Sequence, residues 1–475
     1  MAIILKVTDN FFIENCSLVR EGKKLYPQVD GSGGSGRLSL ELTGRQKKLP
    51  VPLRITLKDF KSREGSIVLF EDENSEDDII LTFESIGGNG DKTYSVRAGN
   101  YIGHFKYGDY EIDIRPRFPE PFLERMLNFA NDIYLDEAAP FDARKENGIH
   151  DHSRFVLYYL FLQKLEKAYL LGLPKSYRTV HYHGAKVKGN VHINRLIRSD
   201  IPFKGKISSS TRELQEDQEI VDVLYEAFTI IETNGIPTKS IAHIKAHLRE
   251  YRSGALLTHA RIAKALNAKV LKNPMYAPYK KILEYAKFII IQGGLKEKQG
   301  GKEHTFGFLV NVSRLFETYL YKLLHRKFPD WKVIHEEPLE VCKGSFIARS
   351  MYPDIVMKKE NKVLVFDVKY KRMRFKRGMG DRKYGDLDRS DFFQINTYMA
   401  YYKNHGDEVV AGGLLYPMEE KYDKTVAYCE SWLGNEKTKF IVDGIDLSNV
   451  GPNSTIKNLE ESFLERIFKL IGESP

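Results

Sequence analysis

Three side chains in the last third of the chain could do chemistry together. Asp354 follows Pro353 at the head of the short apolar run Ile355-Val356, and Asp367 and Lys369 close a second one, Val363-Leu364-Val365-Phe366. A strand alternates its side chains with period two, so Asp367 and Lys369 share one face and Val368 takes the other. Charges at the end of an otherwise buried strand cost desolvation energy unless they pair or bind something. Read as the two strands of a hairpin, the runs bring two carboxylates and one ammonium to a single point. That set suits a divalent metal holding a phosphodiester. Mg²⁺ takes hard oxygen ligands and keeps several waters, so one to three carboxylates suffice. The expected ligands are Asp354, Asp367 and the backbone carbonyl of Val368, with Mn²⁺ as a substitute metal. Lys369 is placed to orient or deprotonate the attacking water, or to offset charge on the phosphate. The plain alternative for Asp367 and Lys369 is a strand-end salt bridge.

The elements that must position this set follow from the same periodicities. A helix is predicted from about Leu309 to Lys327, with Val310, Leu315, Phe316, Tyr319, Leu320, Leu323 and Leu324 on its apolar side. Strands are predicted near Lys332-Val333-Ile334 and Phe346-Ile347-Ala348, a helix over 391–403, and a strand over 409–416. Helix, strands, helix, strand implies a mixed sheet with helices on both faces. Directly after Lys369 come Lys371, Arg372, Arg374, Lys376, Arg377, Arg382 and Lys383, interleaved with Tyr370, Phe375 and Tyr384. A charge run is usually a solvated loop. This one leaves from the catalytic strand, where a duplex backbone would pass, and these residues are the expected phosphate contacts.

The rest of the chain reads as support. At 475 residues it is too long for one core, so two to four domains are expected. Residues 1–118 are β-rich. The run 31–36 is a Gly/Ser loop, and 71–78 is acidic enough to repel a phosphodiester. Residues 119–300 read as a mostly helical domain with a β insert. Lys186, Lys188, Arg195, Arg198, Lys204, Lys206 and Arg212 cluster in and around that insert. Ser208 to Glu219 is expected to start a helix, with hydroxyls to cap it and acids in its first turn. Residues 301–475 form the catalytic domain. The expected fold is therefore α+β and multidomain. No apolar run is long enough for a membrane helix, and the first residues do not read as a secretory signal. Cys16, Cys342 and Cys429 are too scattered for a disulfide framework, which fits a reducing cytoplasm. The net charge of +9 is compatible with nucleic acid. No Gly-x-x-x-x-Gly-Lys-Ser/Thr run occurs, so no nucleotide site is expected in this chain.

Pro353-Asp354, followed by Asp367-Val368-Lys369, resembles the PD-(D/E)xK nuclease motif. Glu317 lies upstream on a helix, where that superfamily often has a glutamate. Asp391-Phe392-Phe393-Gln394-Ile395-Asn396-Thr397-Tyr398 resembles the Gln-x-x-x-Tyr helix motif of several nuclease branches. Gln394 and Tyr398 are one turn apart and share a face, where they could brace the lysine or contact substrate. The wider layout resembles the McrC family, the nuclease subunits of McrBC-type modification-dependent restriction systems. The carrying features are the Asp113-Ile114-Arg115-Pro116 strand end, Leu315-Phe316-Glu317 and the run Val365 to Lys371. The resemblance implies a C-terminal restriction-endonuclease-like domain and a DNA endonuclease of a phage-defence system. It also implies docking, through the N-terminal part, onto an McrB-like AAA+ ring that hydrolyses GTP. Dimerisation through the nuclease domain would serve double-strand cleavage. Two other readings stay open: a non-catalytic module that binds DNA or a partner, and a nuclease acting on RNA or single strands.

Overall fold

The computed structural model describes residues 3–21, 24–28, 38–42, 51–62, 66–71, 76–86, 93–130, 152–234, 236, 238, 241–292, 307–343, 348–371, 374–377, 383–418, 428–429, 432–448, 450 and 455–472. The Gly/Ser loop over 31–36, part of the acidic run, Arg372 and Arg382 lie outside them. The contacts group the chain into two units. One joins residues 1–140 to 303–475, and the other is 141–302. This grouping cuts across the expected segments 1–118, 119–300 and 301–475.

The reason is one strand. Gly307–Asn311 pairs antiparallel with Tyr101–Tyr107 and parallel with Ser66–Leu69, so it completes the eleven-stranded N-terminal sheet. Its residues are all buried, as expected of an apolar run covered on both faces. The expected helix from Leu309 therefore begins only at Val312. Asn311 caps it by accepting from the Arg314 N–H at 3.1 Å. Gly103 opposite must be glycine, because a Cβ there would meet the Phe308 carbonyl oxygen at 2.0 Å. The sheet's core is an alternating set that includes Ile3, Leu5, Val7, Leu40, Ile55, Phe83, Val96 and Ile112. The helix Glu120–Ala130 belongs to this unit. It packs against Val312–Lys327 through Phe122 and Phe129, whose rings meet Tyr319 edge-on at 5.7 and 5.3 Å.

A second sheet of six strands holds the predicted hairpin. Its order is Lys332–His335, Ile355–Lys359, Lys362–Val368, Glu408–Met418, Lys439–Asp446 and Tyr428–Cys429. The hairpin strands are antiparallel, with Ile355 opposite Phe366. The next two junctions are parallel, so the sheet is mixed as expected. The helix Arg389–Asn404 covers one face, packing Ile395, Tyr398, Met399 and Tyr402 against Val356, Val363, Val365 and Leu414. It sits close because Gly412 has no side chain; a Cβ there would lie 2.5 Å from Met399. Helices Val312–Lys327 and Ile456–Ile471 are tied to each other by Phe328 stacking near Phe468 at 4.4 Å and by Tyr319 donating to Glu460 at 2.8 Å.

The unit 141–302 contains helices His152–Tyr169, Gln218–Thr233, Ala242–Tyr251, His259–Leu266 and Pro278–Gln292, with the expected β insert. The helix expected from Ser208 is a strand instead. Ile207–Glu216 pairs along its whole length with Lys175–Gly184, and the helix starts after Asp217, whose side chain caps it. The serines and acids that resemble a cap find other partners: Ser209 Oγ accepts from the Lys188 N–H at 3.1 Å and Glu213 accepts from Tyr182 at 2.6 Å. Among the described residues no helix is long and apolar enough to cross a membrane.

Candidate active site

Strand parity decides which side chains meet. Val363 and Val365 face the Arg389–Asn404 helix, so Asp367 and Lys369 face it too, and Val368 faces away. Asp354, two residues before Val356 on the neighbouring strand, shares that side. Its Oδ2 accepts from the Val368 N–H at 2.6 Å, a bond that ties the hairpin's open end. Asp354, Asp367 and Lys369 are therefore brought together as expected.

Asp367 is 1 % exposed. Lys369 Nζ lies 2.7 Å from its Oδ2, yet neither carboxylate oxygen accepts a well-directed hydrogen bond among the described residues. The Lys369 ammonium offsets the charge of this buried carboxylate at one oxygen, and Oδ1 is left without a hydrogen bond among the described residues. Burial raises the Asp367 pKa, with the neighbouring Asp391 and Glu317 adding to the rise and Lys369 opposing it. Burial raises that of Asp354 strongly as well, reinforced by Asp367 and Glu317. Burial works against the Lys369 ammonium, but Asp367, Asp391 and Asp354 outweigh it and its pKa is raised. Carboxylates crowded in this way favour a divalent cation among them.

Gln394 and Tyr398 stand where the one-turn spacing puts them. Lys369 donates to Gln394 Oε1 at 3.1 Å, Gln394 donates to Tyr398 Oη at 2.8 Å, and Tyr398 donates to the Tyr352 carbonyl at 3.3 Å. This relay fixes the lysine against the residue two before Asp354. Glu317 is on its helix as expected and bonded to Arg314 at 2.8 Å, with His335 Nε2 at 2.7 Å. It is near enough to raise both aspartates. Among the described residues no three His, Cys, Asp or Glu side chains by themselves make a metal cage. Asp354 and Asp367 are hard oxygen donors, and two carboxylates with water are a donor set that suits Mg²⁺ better than a closed structural ion.

One residue escaped the sequence reading. Asp391 reads as an ordinary first-turn acid, yet it is buried. Its Oδ1 lies 3.5 Å from Lys369 Nζ, and its Oδ2 pairs with Lys371. The signal was available in spacing: Asp391 is three residues before Gln394, on the same helical face. Lys371, an expected phosphate contact, is thus paired within the chain, to Asp391 and at 3.5 Å to Asp388. Arg374, Lys376 and Arg377 lie on one strand, and Lys383 on the other, of a two-stranded antiparallel ribbon. A cleft of about 590 Å³ opens between Glu317 and Lys371 and the N-terminal sheet, lined there by Asn10, Arg97 and Asn100.

Comparison with known proteins agrees with the family resemblance. Residues 96–417 match the family model described as McrBC 5-methylcytosine restriction system component. No curated protein matches. The chain is similar to a chain of the refined half-complex from the tetradecameric assembly of Thermococcus gammatolerans McrB AAA+ hexamers with bound McrC. There the identity is 17%, the coverage 81% of this chain and 85% of that one, and the TM-score 0.46. For the cryo-EM structure of the Thermococcus gammatolerans McrBC complex the identity is 16%, the coverage 68% and 88%, and the TM-score 0.34. The family model spans the end of the N-terminal sheet, the middle unit and every residue of the Asp354–Tyr398 cluster, and the chain belongs to the McrBC restriction-system family.

Proposed function

We propose that this chain is the Mg²⁺-dependent DNA endonuclease subunit of its restriction system. The observation that carries the reading is Asp367: a buried carboxylate without a directed hydrogen bond, beside Asp354 and 2.7 Å from Lys369. Asp354, Asp367 and the Val368 carbonyl would hold Mg²⁺, or Mn²⁺ in its place. When bound, the ion supplies charge neutralisation on the phosphate and a more acidic water.

The chain's own residues do the rest. Lys369, kept charged by three carboxylates, stabilises negative charge developing on the phosphate oxygens. Gln394 and Tyr398 hold its Nζ in place, so no reorganisation is needed during reaction. Glu317, held by Arg314 and close enough to act on both aspartates, would orient water. Arg372, Arg374, Lys376, Arg377, Arg382 and Lys383 are proposed to track the DNA backbone beside the site. Lys371 acts there only if substrate draws it from Asp391.

With no nucleotide-binding motif in this sequence, nucleotide-driven movement would come from a partner. The similar structures are of assemblies with McrB AAA+ hexamers, and such a GTP-hydrolysing ring is the proposed partner. Methylated DNA is the substrate to test first, given the family's description as 5-methylcytosine restriction. Double-strand cleavage would require two nuclease domains to pair. The test is a substrate panel with the assembled complex: methylated duplex, unmethylated duplex, single strands and RNA, each with and without Mg²⁺. Cleavage of duplex DNA only when Mg²⁺ is present supports the reading. Cleavage of RNA alone, or no cleavage of any substrate, overturns it.

A further inference from the structure

Tyr370 sits between Lys369, which contacts Asp367, and Lys371, which contacts Asp391. It is buried, and the groups around it come from the segments that follow the strands Ile3–Thr8 and Tyr110–Arg115 and from the helix Val312–Lys327. Asn10 Nδ2 donates to its carbonyl at 3.3 Å. Phe118 meets its ring edge-on at 5.4 Å, and Phe316 lies at 5.8 Å. Above the ring lies the guanidinium of Arg117, 4.6 Å from the Tyr370 centroid and 4.8 Å from that of Phe118.

Arg117 is an unusual residue to find there. Its side chain is 1 % exposed, and its nearest carboxylate is Asp9 Oδ2 at 3.8 Å. None of its guanidinium nitrogens makes a hydrogen bond among the described residues. A buried cation held by one loose ion pair and two rings is poor material for stability. It is well suited to fixing a ring, because a guanidinium stacked on an aromatic face sets that ring's orientation. Asp9 also accepts from the Arg117 N–H at 2.6 Å, so the backbone at this point is locked to the first strand's end. Arg117 directly follows Asp113-Ile114-Arg115-Pro116, a motif the proposed reaction leaves unused.

We propose that Arg117, with Asn10, is a positioning residue for the catalytic lysine: the segments leaving the N-terminal sheet clamp Tyr370 and thereby set where Lys369 points. This rests on the nuclease reading above. The clamp acts on geometry and touches neither substrate nor metal, so it should govern turnover and leave DNA affinity alone. A misplacement on the order of 1 Å costs up to about 100-fold in rate.

The experiment measures Mg²⁺-dependent duplex cleavage by the full chain with its ring partner, for wild type, Arg117→Gln, Arg117→Lys, Tyr370→Phe, Tyr370→Leu and Lys369→Ala. Lys369→Ala is the control for the underlying reading: if it cleaves like wild type, the nuclease assignment fails and the clamp goes with it. If Lys369→Ala is dead, the other variants decide. The expected result is a kcat loss between about 10-fold and 100-fold for Arg117→Gln with KM and DNA binding unchanged. Tyr370→Phe, which keeps the ring, loses less than Tyr370→Leu, and Arg117→Lys recovers part of the loss. Should Arg117→Gln fail to fold, Tyr370→Leu replaces it with the same expectation. A folded Arg117→Gln or Tyr370→Leu with kcat within about twofold of wild type overturns the proposal. So does a loss that falls on KM instead.

Discussion

In the six-stranded sheet, the strand Lys362–Val368 is buried from Val363 onward, yet it carries Asp367 next to its end and is followed by Lys369. In the three-stranded sheet of the other unit, the ten residues Lys175–Gly184 alternate between exposed and half-buried, with none fully buried. Around that second sheet large apolar side chains stand in solvent, among them Ile193, Ile197 and Phe203. Both strands are long, well paired and carry charge. They differ in what burial does to that charge. At Asp367 desolvation works against the carboxylate, and Lys369 at 2.7 Å offsets it only in part. Along Lys175–Gly184 charge costs little and contributes little.

Five substitutions can break or sharpen this contrast. The largest effect is expected at Asp367→Asn, where cleavage falls on the order of 10²–10³-fold. Because burial raises the Asp367 pKa, its ionised form opposes folding at neutral pH. The metal-free Asn variant should therefore melt no lower than wild type, as scanning calorimetry without Mg²⁺ would show; clear destabilisation would contradict the burial argument. Gln394→Ala should cost cleavage about 10-fold, through the loosened Lys369, with little change in DNA affinity measured by anisotropy.

Glu124 tests the same physics away from the site. Burial pushes its carboxyl up from 4.5 to about 7. A raised folded value means the stabilising contribution is fully present below the unfolded value and is lost as pH rises through about 7. The rise corresponds to about 3 kcal/mol at high pH, an upper figure. Urea unfolding of Glu124→Gln between pH 4 and 9 should show the variant gaining on wild type from about pH 4.5 to about 7 and holding a constant lead above that. Curves parallel over the whole range would refute it. The smallest effect is expected in the exposed insert. Phe203→Ser and Ile197→Ser should change unfolding free energy by no more than about 0.5 kcal/mol. A larger loss would show that these side chains belong to a core.

The site was legible in the sequence to the extent that it is local. Period two placed Asp367 and Lys369 together, and period 3.6 placed Gln394 under Tyr398. Asp391 carries the same helical spacing, but a first-turn acid has an ordinary explanation that hides its burial. Long-range pairing was not legible. Nothing near Gly307–Asn311 announces that it closes a sheet begun three hundred residues earlier, since strand register is set by distant partners. The strand Ile207–Glu216 imitated a helix start because capping residues and ladder-forming serines are the same residues. Arg117 beside Tyr370 is likewise a product of tertiary structure alone.

The central claim is that Asp354, Asp367 and Lys369 form one metal-dependent cleavage site. The most direct measurement is duplex cleavage by the partner-bound Lys369→Ala protein, titrated with Mg²⁺ beside wild type, with folding and assembly verified for both. The account predicts that wild type cuts as Mg²⁺ rises and that the variant assembles and binds DNA but does not cut at any Mg²⁺ concentration. Cleavage by Lys369→Ala at the wild-type rate would contradict it.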